Sequence, residues 1–570
     1  MQREIYWCKN CNAPYNDDTN KCSICNLKGK RLSPDIRPVF AKERALLEYF
    51  KIKAYDKESV WTNSRTHIYY INGEKKRLPP YKEFRDEAEE IRKYIYDQKE
   101  NIESFEERII NDYKKQFLSS SLYLKKLENK AFKFTQDVAQ KYRRRLFMIS
   151  FSGGKDSTVV SDVVRRALGR DNILHIFGDT GLEDENTHEY IMDFLNRYPG
   201  VPFFKAKSEQ NFWDLVDHMG PPSRVMRWCC TIIKAGPITN LLQSLKDNEG
   251  NDQKVLTYYG IRHSESTQRA DYNAVTVGAK IGRQVTASPI IEWLEFDVWG
   301  YILSNDVLFN YSYQLGYSRV GCWLCPLNST WSDFLNSVHF KKDNDEWQSK
   351  LIQFAKDIGK PDPEVYVRDR KWAARQGGSG LQNVWTGIDI KPCGEMDNTI
   401  EVNLTKPVND DIIEFFKPLG KLNKDLSDPM KGEYIFQKNG NAGNNIRLLA
   451  AKGTTNVRVQ ALDKDETDDI HRYAKYQLNK FQTCIQCTAC STACPHDSIV
   501  VRVEHDVYEV DEDKCVNCNE CVTHFGSTGC LVAKSLSSYG EDRKNNLERE
   551  KQMSKDGLPN NIFQPLNMIN

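Results

Sequence analysis

Leu146-Phe147-Met148-Ile149-Ser150-Phe151-Ser152-Gly153-Gly154-Lys155-Asp156-Ser157 is the stretch on which the fold turns. Leu146–Ile149 is an apolar strand, a Gly-Gly turn follows, and Thr158–Leu168 reads as a helix with Val159, Val160, Val163 and Val164 on its buried side. Two glycines let a backbone approach a phosphate closely, and the amides of the turn and the helix N-terminus point at it. Ser152, Lys155 and Ser157 add a hydroxyl, a cation and a second hydroxyl. This is not a Walker loop, which needs Ser or Thr directly after Gly-Lys, where Asp156 stands, and Gly five residues before Gly154, where Ile149 stands. Outward from the loop, Ile173–Phe177 and Val255–Tyr259 are further short apolar strands. Strands alternating with helices predict an α/β fold with a mostly parallel, doubly wound sheet that binds its ligand at the strands' carboxyl ends.

Several further motifs follow in one order. Phe177-Gly178-Asp179-Thr180-Gly181-Leu182-Glu183 closes the second strand, and Gly260-Ile261-Arg262 leads to Glu265-Ser266 and Arg269. Pro289-Ile290 runs through Trp293 to Asp297-Val298-Trp299. Together with Ser152–Ser157, these resemble the PAPS reductase family within the PP-loop ATP pyrophosphatases, over roughly residues 140–330. The resemblance implies an adenine nucleotide ligand, ATP or APS/PAPS. Lys155, Asp156, Arg262 and Arg269 are then the catalytic candidates, with Ser152, Gly153, Gly154, Ser157, Asp179, Thr180 and Gly260 holding the nucleotide. Arginine suits an anionic end because its guanidinium pairs bidentately with phosphate or sulfate oxygens. Asp179 has three readings: nucleoside contact, Mg2+ ligand, or cap of the next helix.

The 570 residues contain 17 cysteines, and their grouping points to metal rather than disulfides. Cys8-x-x-Cys11 and Cys22-x-x-Cys25 form a zinc-ribbon signature for Zn2+, with a rubredoxin-like iron site as the alternative. Cys229-Cys230 and Cys322-x-x-Cys325 supply four thiolates, enough for a cube or a zinc. Here the resemblance to assimilatory adenylylsulfate reductases implies one central [4Fe-4S] cluster. Cys484-x-x-Cys487-x-x-Cys490-x-x-x-Cys494-Pro495 is the bacterial ferredoxin motif, and Cys515-x-x-Cys518-x-x-Cys521 repeats its first part, with Cys530 after a longer gap. In that fold the fourth cysteine of each run ligates the other cluster. Two [4Fe-4S] sets follow: Cys484, Cys487, Cys490 and Cys530, and Cys494, Cys515, Cys518 and Cys521. Cys393 is left over, in Lys391-Pro392-Cys393-Gly394-Glu395-Met396, where the reductases' Cys-Gly-Ile/Leu-His motif has lost its apolar residue and His.

These readings divide the chain into a zinc ribbon (1–32), a mainly helical connecting region (33–142), the nucleotide-binding domain (143–345), an accessory α/β region (346–470), a ferredoxin domain (471–540) and a polar tail (541–570). Within the connecting region, Thr66–Ile71 reads as a strand with a hairpin at Asn72–Gly73, and Lys82–Leu127 as a long amphipathic or paired helix. A Gly/Asn-rich turn is expected at Asn439–Asn445. With 80 Lys and Arg against 79 Asp and Glu, no global field argues for nucleic acid or an acidic membrane. No run approaches about eighteen apolar residues, and no signal-peptide core opens the chain, so a cytoplasmic enzyme without a membrane partner is expected.

Two chemistries fit these parts. One reduces APS or PAPS to sulfite, with electrons passed by an external donor to the ferredoxin clusters. The other activates an acceptor with ATP for sulfur transfer, as in DNA phosphorothioation or tRNA thiolation; the ribbon and Arg143-Arg144-Arg145 make nucleic acid the candidate acceptor. A third reading is a non-catalytic electron-transfer subunit.

Overall fold

The computed structural model describes residues 4–54, 58–79, 84, 86–278, 284–374, 388–438, 445–503 and 507–536. Its central sheet consists of β1 (Leu146–Ser150), β2 (Leu174–Asp179), β3 (Phe203–Lys207), β4 (Val255–Tyr258), β5 (Val275–Val277) and β6 (Gln284–Ala287), in the order β3-β2-β1-β4-β6-β5. β1 pairs in parallel with both β2 and β4, β4 pairs in parallel with β6, and β5 closes the edge antiparallel to β6. This is the doubly wound α/β sheet expected from the sequence. Its chain order reverses between β1 and β4, so a crevice opens where their carboxyl ends diverge.

The helix after β1 begins at Lys155 rather than Thr158, because Gly154 takes the extended N-cap conformation and releases Lys155 into the first turn. It ends at Gly169, whose left-handed φ of 62° suits a C-cap without a Cβ. Val159, Val160, Val163 and Val164 are fully buried against the sheet. Each contributes roughly 1.5–3 kcal/mol over an exposed side chain.

By its contacts the chain divides into two compact units. The first comprises Met1–Ala206, Gln253–Ala279 and Arg283–Trp347. Its N-terminal part holds a three-stranded ribbon sheet (Ile5–Cys8, Ala13–Tyr15, Lys30–Ser33) and a four-stranded antiparallel sheet (Arg37–Pro38, Val60–Asn63, Ile68–Ile71, Glu74–Arg77). The Asn72–Gly73 hairpin forms as expected, with both residues at positive φ, but the strand before it starts at Ile68 because His67 itself adopts a φ of 50°. The amphipathic stretch is three helices, Ala88–Asp97, Lys99–Phe117 and Ser121–Lys141. Its second break has a visible cause. Ser119 Oγ donates to the Pro14 carbonyl and Ser120 Oγ accepts from Asn16 N–H, so the ribbon ties down the serines there.

The second unit comprises chiefly Lys207–Asp252 and Gln348–Asn570. A six-stranded sheet, antiparallel in every adjacent pair, runs in the order Asp389–Pro392, Thr399–Asn403, Asn456–Ala461, Asn445–Leu449, Glu433–Gln437, Lys421–Asp428. Its core includes Phe416, Phe436, Leu448 and Val459, joined by Leu478 and Phe481 of the Thr467–Thr483 helix. Among the described residues no helix is long and apolar enough to cross a membrane. Of the expected turn at Asn439–Asn445 only Asn445, which opens a strand, is among the described residues, and the 541–570 tail lies outside them.

Candidate functional site

At the switch point, Gly153 takes a φ of 72°, and Ser152 N–H donates to Ser157 Oγ at 3.1 Å. The Ser152 and Ser157 hydroxyls stand 3.2 Å apart, and Tyr313 OH accepts from Lys155 N–H at 2.8 Å. Lys155 is buried. Its ammonium donates to the Ser318 carbonyl at 2.9 Å and lies 3.3 Å from Glu295 Oε1 and 3.5 Å from Asp156 Oδ2. From the facing strand end, Arg262 pairs through Nε with Asp156 Oδ1. Gly260 is pressed so close that a Cβ there would meet the Asp156 and Ser157 backbone at 2.7 Å. Loop, lysine and Arg262 are therefore one assembly, as the sequence reading grouped them. Burial works to raise the Asp156 pKa, but Arg262 and Lys155 outweigh it and hold it down at about 2.

Arg269 stands apart from that pair. It is partly exposed and pairs with Glu265, whose carboxylate also accepts from Arg262 N–H and lies 3.6 Å from Arg319.

Two carboxylates that the motifs did not single out shape this site. Glu295 opens the Glu295–Ser304 helix, where burial favours its neutral form, yet Lys155 first and Arg262 next keep its pKa below the ordinary value. Asp35, far away in sequence, caps that helix by accepting from Glu295 N–H at 2.8 Å and Phe296 N–H at 3.0 Å. Burial, reinforced by the Glu295 charge, raises Asp35 to about 6. A sequence signal for Glu295 did exist: with Asp297 it is one of two acidic residues in the first turn of a helix that is otherwise almost wholly apolar.

Asp179 does not cap the next helix. Asp184 does, accepting from Thr187 N–H, while Asp179 accepts from Gly181 N–H at 3.0 Å. Asp179, Glu183 and His188 offer ligand atoms all within 4.8 Å of one another, a donor set suited to a divalent cation. Thr180 Oγ1 donates to Glu183 at 2.8 Å and lies 3.4 Å from Cys322 Sγ, which places the C-x-x-C pair beside the Asp-Thr-Gly turn.

The cysteines of the ribbon converge: Cys8, Cys11, Cys22 and Cys25 have sulfurs within 4.8 Å of one another, as a tetrahedral metal requires. In the C-terminal module the doubled motif is doubled in backbone too. Gln486 and Thr488 flank Cys487 with φ of 55° and 62°, and Asn517 and Asn519 flank Cys518 with 56° and 58°. Cys484, Cys487, Cys490 and Cys530 line one pocket, the four-thiolate donor set that a cube needs. The longer gap before Cys530 is taken up by the Gly526–Thr528 turn and Gly529, which lies against the Tyr476 backbone. Cys494 lies 3.2 Å from Ser498 Oγ, which also bonds Cys515, while Cys518 is exposed.

Lys480 lines the same cavity, buried to 2% exposure, and its ammonium donates to Tyr508 OH at 2.6 Å. Burial works to lower its pKa, but Cys490, Tyr508 and Cys521 outweigh it and hold the pKa well above the ordinary lysine value.

Cys229 and Cys230 belong to the second unit, Cys322 and Cys325 to the first. Cys230 opens a π-helical turn, Cys230–Ala235, continuous with the Gly236–Ser244 helix. Both pack on Ala489–Ala493, the helix carrying Cys490. The approach is close, since a Cβ at Gly236 would fall 2.3 Å from Thr488 Oγ1. Gln243 donates to Asp497 across the same seam at 3.0 Å. Cys393 follows strand Asp389–Pro392, half-buried, with its N–H on the Thr399 carbonyl.

Residues 146–328 match the family described as phosphoadenosine phosphosulfate reductase domain, and residues 477–524 the 4Fe-4S dicluster domain. An uncharacterized protein of Methanocaldococcus jannaschii is 33% identical over 228 residues, 40% of this chain and 46% of that protein. Adenosine 5'-phosphosulfate reductase 1 of Bacillus subtilis is 26% identical over 152 residues, 26% of this chain and 61% of that protein. The matched stretch spans about half the length of the archaeal relatives. Among solved structures, phosphoadenylyl-sulfate reductase from Candida auris in its phosphate complex aligns with a TM-score of 0.27 and 16% identity, covering 36% of this chain and 96% of that one.

Proposed function

With a phosphoadenosine phosphosulfate reductase domain and a 4Fe-4S dicluster domain in one chain, we propose an iron–sulfur enzyme that reduces an adenylylated sulfate, APS or PAPS, to sulfite. One observation carries this reading: the helical turn that begins at Cys230 packs on the helix that carries Cys490. That is the arrangement needed if electrons pass from the ferredoxin module toward the Cys229–Cys230 motif. Bound iron–sulfur clusters supply single electrons, and two are needed here. The sulfur of the substrate takes up both, its bond to the bridging oxygen breaks, and that oxygen departs on the nucleotide phosphate. A low-potential one-electron carrier must refill the module, and the exposed Cys518 marks the side nearest solvent.

The chain's own residues bind and orient the substrate. The Ser152–Ser157 turn and Lys155 hold phosphate oxygens, and Arg262, now on Asp156, turns to an incoming anion. Asp179, Glu183 and His188 would hold Mg2+ if the nucleotide brings one.

The second reading, ATP-dependent sulfur transfer to nucleic acid, draws on Cys393. It begins a turn of an antiparallel sheet and lacks the following apolar residue and His of the reductase motif.

The test uses full-length protein purified without oxygen, with a reduced viologen donor and either APS or PAPS. Sulfite and the corresponding adenosine phosphate at turnover, lost in Arg262→Ala, support the reductase. Pyrophosphate released from ATP without any sulfite overturns it in favour of sulfur transfer, and gel shifts with a steep salt slope would then identify the acceptor.

A further inference from the structure

We infer that Lys480 is a fixed cation that raises the reduction potential of the ferredoxin module, acting on both cysteine sets at once. It rests on the module holding iron–sulfur clusters, and on no reaction at the nucleotide site.

Lys480 stands near the C-terminal end of the Thr467–Thr483 helix, four residues before Cys484. That helix packs on Glu520–Thr523, which carries Cys521, and on Leu531–Leu536, which follows Cys530. The side chain thus lies where the two sets come together. It lines the pocket of Cys484, Cys487, Cys490 and Cys530, and its helix packs on the segment that bears Cys521 of the other set.

A buried ammonium needs a counter-charge. Among the described residues none of the ion pairs involves Lys480: no carboxylate comes within 4.0 Å of its nitrogen. Its neighbours are the Tyr508 hydroxyl at 2.6 Å and the faces of Tyr508 and Phe415, with ring centres at 4.9 and 5.9 Å. Those rings stack on each other 4.2 Å apart, so the ammonium has a shaped seat and not a loose surface position. The seat lies beside the thiolate sets, and a bound iron–sulfur cluster, whose net charge is negative and grows by one on reduction, would supply the counter-charge there. A cation held in so dry a place stabilises the more negative, reduced form, and charge and burial around a cluster are levers on its potential.

The experiment is an EPR-monitored redox titration of the full-length protein, prepared without oxygen, with iron and acid-labile sulfide measured on each sample. Lys480→Met keeps the apolar stem and removes the charge; Lys480→Arg keeps the charge. The expected result is full iron content in both variants, midpoints shifted to lower potential in Lys480→Met, and midpoints close to the parent in Lys480→Arg. Unchanged midpoints in a fully loaded Lys480→Met overturn the inference. If Lys480→Met fails to retain iron, Lys480→Arg decides: full loading with parent-like midpoints upholds a role for the charge, and loss of iron there too reduces Lys480 to packing. None of these readouts depends on sulfite or pyrophosphate, so failure of the proposed reaction leaves this result interpretable.

Discussion

Lys155 Nζ lies 3.3 Å from Glu295 Oε1, so the lysine of the phosphate loop is already engaged by an internal carboxylate before any anion arrives. Glu295 therefore competes with ligand for the same charge. Glu295→Gln should tighten binding of inorganic pyrophosphate by about tenfold, equivalent to about 1.4 kcal/mol. Calorimetric titration of parent and variant checks this, and equal or weaker binding in the variant would show that Glu295 positions Lys155 instead.

Gly260 offers a purely steric test. A methyl group there would have to displace the Asp156–Ser157 backbone, 2.7 Å away, and the loop cannot yield without losing its turn. Gly260→Ala should weaken nucleotide binding at least tenfold while iron and zinc contents stay at parent values. Unimpaired binding would mean that the loop moves freely.

Acid sensitivity has an identifiable contributor beneath the sheet. His175 Nδ1 donates to the Ile173 carbonyl at 2.8 Å, and Nε2 then accepts from Ser161 Oγ at 2.7 Å. Burial first, with Arg165 assisting, pushes its pKa down to about 4. Between the ordinary value of 6.5 and 4 the unfolded chain binds a proton that the folded chain refuses, so stability falls as pH falls through that window. The slope is about 1.4 kcal/mol per pH unit. Denaturant unfolding at pH 7.5, 6 and 5 should give a slope shallower by about that amount in His175→Gln; parallel slopes would refute the assignment.

The four ribbon sulfurs predict one zinc per chain, separable from the iron. Cys22→Ser should lose the zinc and lower the melting temperature of the first unit, because Ser119 and Ser120 anchor the neighbouring helices to the ribbon. Elemental analysis finding iron in the ribbon of the parent would instead make it a rubredoxin-like site.

What the sequence revealed and what it concealed have a common physical basis. The Ser152–Ser157 turn, the Asn72–Gly73 hairpin and the cysteine sets are local patterns, set by backbone torsions and ligand spacing within a few residues. Tyr313 and Ser318 reach the lysine, and Asp35 the helix that carries Glu295, only through tertiary packing, and nothing in their own neighbourhoods announces it. The strands of residues 389–461 alternate apolar and charged residues too briefly to stand out, although Val457 and Val459 are fully buried. Lys480 stayed hidden for a related reason: a lysine in a charged helix reads as solvated until its helix is seen closing over the cysteines.

The seam between Gly236 and Thr488 also sets a timetable for biosynthesis. Roughly 250 residues separate the two, and chains emerge at about 5–20 residues per second, so the Cys229–Cys230 segment waits some 10–50 s for the helix it packs on. During that interval it is a nascent, uncovered thiol pair on the ribosome. Late arrival of its partner makes the emergence of Thr488 the moment at which the Cys230–Ala235 turn can first settle, with Cys230 itself still open to solvent.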